Sequence, residues 1–293
     1  MPPLHGLRVL DLTQLLPGPY ATSLLVELGA EVVKVEPPGG DPLRGVPPFL
    51  DDGQSARFVA LNRGKKSVVL NLKAEAGRGR FLALARGAAA VVEGFRPGVV
   101  ERLGVGYEAV RAVRPDVVYC ALSGYGQTGP KRDHVGHDLN YVAATGALSL
   151  TGLDHPVVPG AQLGDITGGL FAALAVLVAL CARQRTGRGR YLDVALADAA
   201  QHALVLHAAE WAATGKSPTP QTAPLCGGYP FYNVYETKDG SWLSVGCLEP
   251  KFWAALCRAL GLEELIPHQF AEGAARGRVF DALREAFSSE PLA

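Results

Sequence analysis

Three side chains in this chain stand where acid–base or nucleophilic chemistry could be done: His137, Asp165 and Glu249. His137 lies in Gly136-His137-Asp138-Leu139-Asn140-Tyr141, where a polar loop ends and a helix begins. The positive end of a helix dipole disfavours an imidazolium, and a neutral ring there suits a general base. The same placement suits a capping segment, with His137 or Asp138 satisfying exposed backbone N–H groups. Asp165, in Gly164-Asp165-Ile166-Thr167-Gly168-Gly169, directly precedes the most apolar helix of the chain. Read as structure, it is an N-cap. Read as chemistry, it is a carboxylate whose neighbouring glycines let a ligand approach the backbone, at a helix end that would stabilise an anion such as an enolate oxygen. Glu249 lies in Val245-Gly246-Cys247-Leu248-Glu249-Pro250, between an apolar strand and a helix, the usual place of an exposed helix-start residue.

Other motifs carry less. Gly124, Gly126 and Gly129 match the G-x-G-x-x-G spacing after a strand, but Pro130-Lys131-Arg132-Asp133-His134 follows instead of a helix. The acidic residue expected some 20 positions on is also absent, so a dinucleotide fingerprint is not supported. Basic residues cluster at Arg63, Lys65 and Lys66, at Arg96 and Arg102, and at Arg183, Arg185, Arg188 and Arg190. The last group complements the end of the apolar helix. The first two flank strand ends, where open parallel sheets collect ligands, and are candidates for binding phosphates. The remaining histidines (His134, His155, His202, His207, His268) have no ligand spacing, and the five cysteines support neither a disulfide framework nor a zinc site.

The elements that must position these residues alternate in period. Strands are expected at 7–12, 31–35, 67–72, 90–93, 117–122 and 191–195. Helices are expected at 17–28, 74–86, 108–113, 139–148, 168–183 and 196–213. Such alternation predicts an α/β fold with a mostly parallel sheet covered by helices on both faces. A Gly, Ser, Pro and Thr-rich stretch from Thr214 reads as a linker. Beyond it, a hairpin with an Asp239-Gly240 turn and helices at 250–260 and 273–288 make a smaller α+β unit. The expected domains are 1–213, a linker at 214–230, and 231–293.

The 293 residues carry 28 basic and 28 acidic side chains, with 48% hydrophobic residues. That excludes disorder and argues against a nucleic-acid platform, which needs a basic excess. The apolar run Leu170–Ala182 falls short of the roughly 18 residues needed to span a bilayer, and no signal peptide opens the chain. A cytoplasmic protein without membrane or nucleic-acid partners is the simplest expectation.

Several segments in order then make a resemblance. They are the Leu7–Glu36 opening, Gly94-Phe95-Arg96-Pro97-Gly98-Val99, Ser123 to Pro130, Gly164-Asp165, Thr186-Gly187-Arg188-Gly189 and Tyr235 to Gly240. Through these the chain resembles the class III CoA-transferase family and, within it, the alpha-methylacyl-CoA racemase branch, which His137 and the Leu248-Glu249-Pro250 segment favour. The resemblance implies a Rossmann-like large domain that binds an acyl-CoA, a small domain, an interlocked homodimer, and no cofactor beyond the CoA of the substrate. It implies that His137 and Asp165 are the two acid/base groups of a racemase acting on 2-methylacyl-CoA thioesters through an enolate, with Glu249 supporting His137. It implies nucleotide contacts at Leu70, Leu72, Lys73, Gly94, Phe95, Arg96, Arg102, Gly136 and Tyr141. The transferase branch, in which Asp165 is a nucleophile passing through a mixed anhydride and an aspartyl-CoA thioester, is the alternative, and Pro37-Pro38-Gly39-Gly40 resembles it. Relatives of this kind continue into a return segment after the small domain. The chain shows none by Ser289-Glu290-Pro291-Leu292-Ala293, so a weaker dimer is the expectation.

Overall fold

The computed structural model describes residues 1–292. Six strands form one wholly parallel sheet: β1 (Arg8–Asp11), β2 (Glu31–Glu36), β3 (Lys66–Val69), β4 (Ala90–Glu93), β5 (Val118–Ser123) and β6 (Arg190–Ala195). Their spatial order is β3-β2-β1-β4-β5-β6, the order of a doubly wound Rossmann sheet. All four residues of β4 and all six of β5 are buried. Both therefore read as continuous apolar runs, as strands covered on both faces do.

Alternate residues of these strands feed two cores. Val9, Val32, Ala90, Val92, Val118 and Cys120 pack with α1 (Pro17–Glu27) and α7 (Leu163–Thr186). Leu10, Val33, Val35, Val91 and Tyr119 face the other way, onto Phe81 and Ala85 of α3 (Glu75–Ala85) and Val110 of α5 (Tyr107–Val113). The period-2 alternation of a strand is what divides the apolar set between the two layers.

The helices depart from expectation in four respects. The apolar helix α7 begins at Leu163 and runs for 24 residues to Thr186. By length and composition it could cross a membrane, but Gly168, Ala172, Val176 and Ala179 are buried against the core while Leu170, Leu174 and Val178 are exposed. The stretch expected as one helix over 196–213 is two, α8 (Leu196–His202) and α9 (Val205–Thr214). Helices α2 (Ala56–Asn62) and α4 (Val99–Arg102) were not foreseen. The expected helix over 139–148 is α6 (Asp138–Ala144) followed by a 3-10 turn at Ala147–Leu150.

A buried ionic cluster underlies the first βα turn. Asp11 is fully buried; one of its oxygens accepts from the Thr13 N–H and hydroxyl, the other from Thr22 and from Lys65 at 3.0 Å. Lys65 Nζ also donates to the Pro19 carbonyl and Asn62. Lys34 pairs with Asp41 at 2.9 Å and donates to the Thr13 carbonyl. Burial raises the Asp11 pKa, but the two lysines and the two hydroxyls outweigh it and leave the carboxyl below its ordinary value. Lys65 is thus consumed inside the fold, which corrects its reading as a phosphate ligand; Lys66 stays exposed, 3.4 Å from Glu31.

The chain divides into two compact units, residues 1–145 with 160–203, and residues 146–159 with 204–293. The expected boundary at 213/214 is therefore corrected: α9 and the 146–159 stretch pack with the smaller unit. That unit holds the antiparallel pair β7 (Tyr232–Glu236) and β8 (Trp242–Gly246), with α10 (Pro250–Ala259) and α11 (Gly273–Ser289). Its core gathers Phe231, Tyr235, Val245, Trp253, Cys257, Val279 and Leu283.

Candidate active site

In an open parallel sheet, ligands bind beyond the carboxyl ends of the strands, where the order reverses. Here that reversal falls between β1 and β4, and a cavity of about 680 Å³ lies there. The residues that follow β1 (Thr13 to Leu15), β4 (Gly94 to Pro97) and β5 (Gly124) form its floor and one wall. The amino-terminal ends of three helices complete it: Pro17 and Gly18 of α1, His137 and Asn140 at α6, and Asp165 of α7. The unpaired N–H groups and aligned dipoles at such ends favour negative charge.

Asp165 is not an N-cap. Gln162 holds that place, so Asp165 is the third residue of α7, half-buried in the first turn. Burial and the nearby Asp138 carboxylate raise its pKa to about 6, against an opposing pull from His137. The glycines after it also have another purpose. A Cβ on Gly168 would lie 2.2 Å from Leu196 of α8, and one on Gly169 would lie 2.6 Å from the Pro17 carbonyl of α1. Those two glycines admit neighbouring helices, not a ligand, which corrects the reading made from sequence.

His137 immediately precedes α6 and is exposed; its N–H donates to Asn140 Oδ1 at 2.9 Å. Asp138 does cap a helix, but the neighbouring one: its Oδ1 accepts the Asp165 N–H at 3.0 Å. Tyr141 is buried, donates its hydroxyl to the Gly136 carbonyl at 2.6 Å and lines the cavity with its ring. Gly124 is required here, because a Cβ would come within 2.7 Å of that ring.

Of the expected nucleotide contacts, Gly94, Phe95, Arg96, Gly136 and Tyr141 line this cavity. Leu70, Leu72 and Lys73 line a second one of about 390 Å³, which shares Gln14 and Phe95 with the first and lies beyond the ends of β2 and β3. Arg102 lines neither; it and Arg132 bring guanidinium nitrogens close to Gly98. Glu249 belongs to the smaller unit, where it is the exposed N-cap of α10 and makes no side-chain capping bond. Sequence reasoning missed Thr13, Gln14, Arg132 and His134 as cavity residues. The placement of Thr13 and Gln14 directly after the first strand of a parallel sheet was the available signal for those two. Among the described residues no cluster of side chains suits a metal ion.

The model of CoA-transferase family III matches residues 4–293. The chain belongs to CoA-transferase family III. It is 39% identical to an acetyl-CoA:oxalate CoA-transferase of Acetobacter aceti, over 99% of this chain and 76% of that enzyme. With a succinyl-CoA:glutarate CoA-transferase of Mus musculus it shares 38% identity over 91% of this chain and 61% of the enzyme. A human alpha-methylacyl-CoA racemase is 35% identical over 92% of this chain and 68% of its own. The crystal structure of a CaiB/BaiF family protein from Brucella suis superposes with a TM-score of 0.84 at 34% identity, covering 98% of this chain and 78% of that one. The chain thus spans about three-fifths to three-quarters of the length of these relatives. The expected family is borne out. The two transferases are more similar in sequence to this chain than the racemase is.

Proposed function

We propose that this family III chain moves CoA from an acyl-CoA thioester to a free carboxylic acid, with Asp165 as the nucleophile. The observation that carries the reading is the half-buried Asp165 carboxyl lining the cavity at the sheet's reversal point. A carboxylate there can attack the donor's thioester carbonyl and expel CoA thiolate, giving a mixed anhydride. The thiolate then attacks the aspartyl carbonyl, releasing the donor acid and leaving an aspartyl-CoA thioester. The acceptor carboxylate attacks that thioester, forming a second anhydride and freeing the thiolate once more. Attack of the thiolate on the acceptor's acyl carbon gives the new CoA ester and restores Asp165. Helix ends and N–H groups around the cavity oppose the negative charge that develops on each carbonyl oxygen.

CoA itself would run from this cavity into the one bounded by Leu70, Leu72 and Lys73, around the shared Phe95. Arg96, Arg132 and His134 enter the lining of the first cavity, where Asp165 is the one carboxylate. That balance suits an anionic acceptor, and dicarboxylic acids such as oxalate or glutarate are the first to try, given the relatives' names. The chemistry calls for no group beyond the CoA of the substrates. The exposed apolar stripe Leu170, Leu174 and Val178 on α7 gives a second copy of the chain a surface to cover, consistent with a homodimer.

One observation favours the racemase reading: His137 lines the same cavity as Asp165, so two proton-transfer groups stand at one site. In that reading each takes one face of the α-carbon, and Glu249 supports the imidazole. Two assays separate the readings. Succinyl-CoA or acetyl-CoA with oxalate or glutarate should give the new CoA ester. In heavy water without an acceptor acid, 2-methylacyl-CoA should not exchange its C2 hydrogen. Exchange without transfer would replace the transferase reading by the racemase one, and His137→Ala should then abolish the exchange.

A further inference from the structure

We propose that Asp138 is a positioning residue for Asp165, holding the first turn of α7 against the first turn of α6 through the Asp165 N–H. This rests on Asp165 being the reacting carboxylate. The first backbone N–H groups of a helix have no partner within it. In α7 the preceding Gln162 makes no side-chain capping bond. The Asp165 N–H is taken instead by Asp138 Oδ1, at 3.0 Å, from a residue 27 positions earlier in the chain. The junction is close. Gly164 is buried, and a Cβ on it would lie 3.3 Å from Asp138 Oδ1 and 3.5 Å from Tyr141 Cβ. Asp138 also directly follows His137, so one carboxylate ties together the turns that carry both His137 and Asp165.

The same contact places a second negative charge beside Asp165, and this opposes its ionisation. The other groups around it are few. His137, just before α6, and Tyr141 of α6 act on it electrostatically. The other charged or titratable side chains lining the same cavity are Arg96 from the turn after β4 and Arg132 and His134 from the loop before α6, while α1 and α8 present Pro17, Gly18 and Leu196. Asp138 therefore does two separable things. As an acceptor it orients the main chain under Asp165, and as a charge it keeps the Asp165 carboxylate more basic, which makes it a stronger nucleophile once ionised.

Two substitutions separate them. Asp138→Asn keeps an oxygen acceptor of the same shape and removes the charge; Asp138→Ala removes both. The Asp165 carboxyl is followed by carbon-13 NMR of aspartate-labelled protein, assigned with Asp165→Asn, and CoA transfer is measured across pH. In the wild type the Asp165 midpoint is expected at about 6. In Asp138→Asn it should fall by about one pH unit, carrying the acid limb of the rate profile with it. The kcat of that variant should stay within about threefold of wild type, whereas Asp138→Ala should lose about tenfold in kcat with a smaller change in KM. An Asp165 midpoint and a kcat unchanged in both variants would overturn the proposal. The NMR arm does not depend on turnover. A midpoint that moves in a protein without transfer activity would sink the transferase reading and leave the charge effect of Asp138 on Asp165 standing.

Discussion

The carboxyl of Glu93 offers a test of how the wall of the site is built. It ends β4, is 2% exposed, and accepts the Phe95 N–H at 2.7 Å. Burial, with Glu101 and Asp193 adding to it, raises its pKa from 4.5 to about 8. A carboxyl held protonated in the fold and free to ionise in the unfolded chain makes stability depend on pH. The stabilising contribution is complete below pH 4.5 and is lost as pH rises through about 8. Each pH unit in that window costs about 1.4 kcal/mol, so the ceiling over the whole window is about 5 kcal/mol. Glu93→Gln keeps an acceptor for Phe95 but cannot ionise, and it buries an amide N–H₂ at a cost of about 1–3 kcal/mol. The variant should therefore be the weaker protein at pH 5 and gain on the wild type steadily toward pH 8. Urea unfolding followed by circular dichroism at half-unit pH steps reads the difference, in which other titrating groups cancel. Thermal midpoints should show the same divergence, a few degrees per pH unit. Parallel curves for the two proteins from pH 5 to 8 would refute the reasoning.

Four further outcomes follow from the structure. Asp165→Asn should lower CoA transfer by at least about 10³-fold with circular dichroism unchanged, because the nucleophile is gone and the helix first turn remains. Wild-type transfer should rise with pH through about 6, since Asp165 must lose its proton before it attacks; a flat profile from pH 5 to 7 would contradict this. Lys65→Met should cost about 3–5 kcal/mol in urea unfolding by stranding the buried Asp11 charge, and adding Asp11→Leu should recover part of the loss. Gly169→Ala should destabilise by about 1–3 kcal/mol, because its Cβ would meet the Pro17 carbonyl, and should raise KM by displacing the start of α1 that lines the cavity.

Much of this molecule was legible in its sequence, for identifiable reasons. The runs ending at Glu93 and Ser123 are strands buried on both faces and were marked by apolar content, whereas those ending at Asp11 and Glu36 carry charged residues and were marked by their β-branched and leucine content between turn signals. The hairpin was marked by Asp239-Gly240. The start of α7 was harder, because Leu163 and Gly164 carry no capping signal and the partner of the Asp165 N–H comes from Asp138 on another helix. The glycines at 168 and 169 read as room for a ligand, and only the approach of Leu196 and Pro17 shows that helices fill that room. Lys65 looked like a surface phosphate ligand. Its burial depends on Asp11, 54 positions earlier, and no local pattern announces that pair. The break between α8 and α9 at Ala203-Leu204 lies in a continuous apolar stretch, where periodicity carries no boundary.

The central claim is that Asp165 forms a covalent bond to CoA during transfer. The direct measurement is mass spectrometry of the intact protein and its Asp165 peptide, quenched after mixing with an acyl-CoA donor in the absence of acceptor. The account predicts a CoA adduct on the Asp165 peptide that disappears when an acceptor acid is added, and none in Asp165→Asn. Turnover of donor and acceptor with no adduct at Asp165, or with an adduct on another residue, would contradict it.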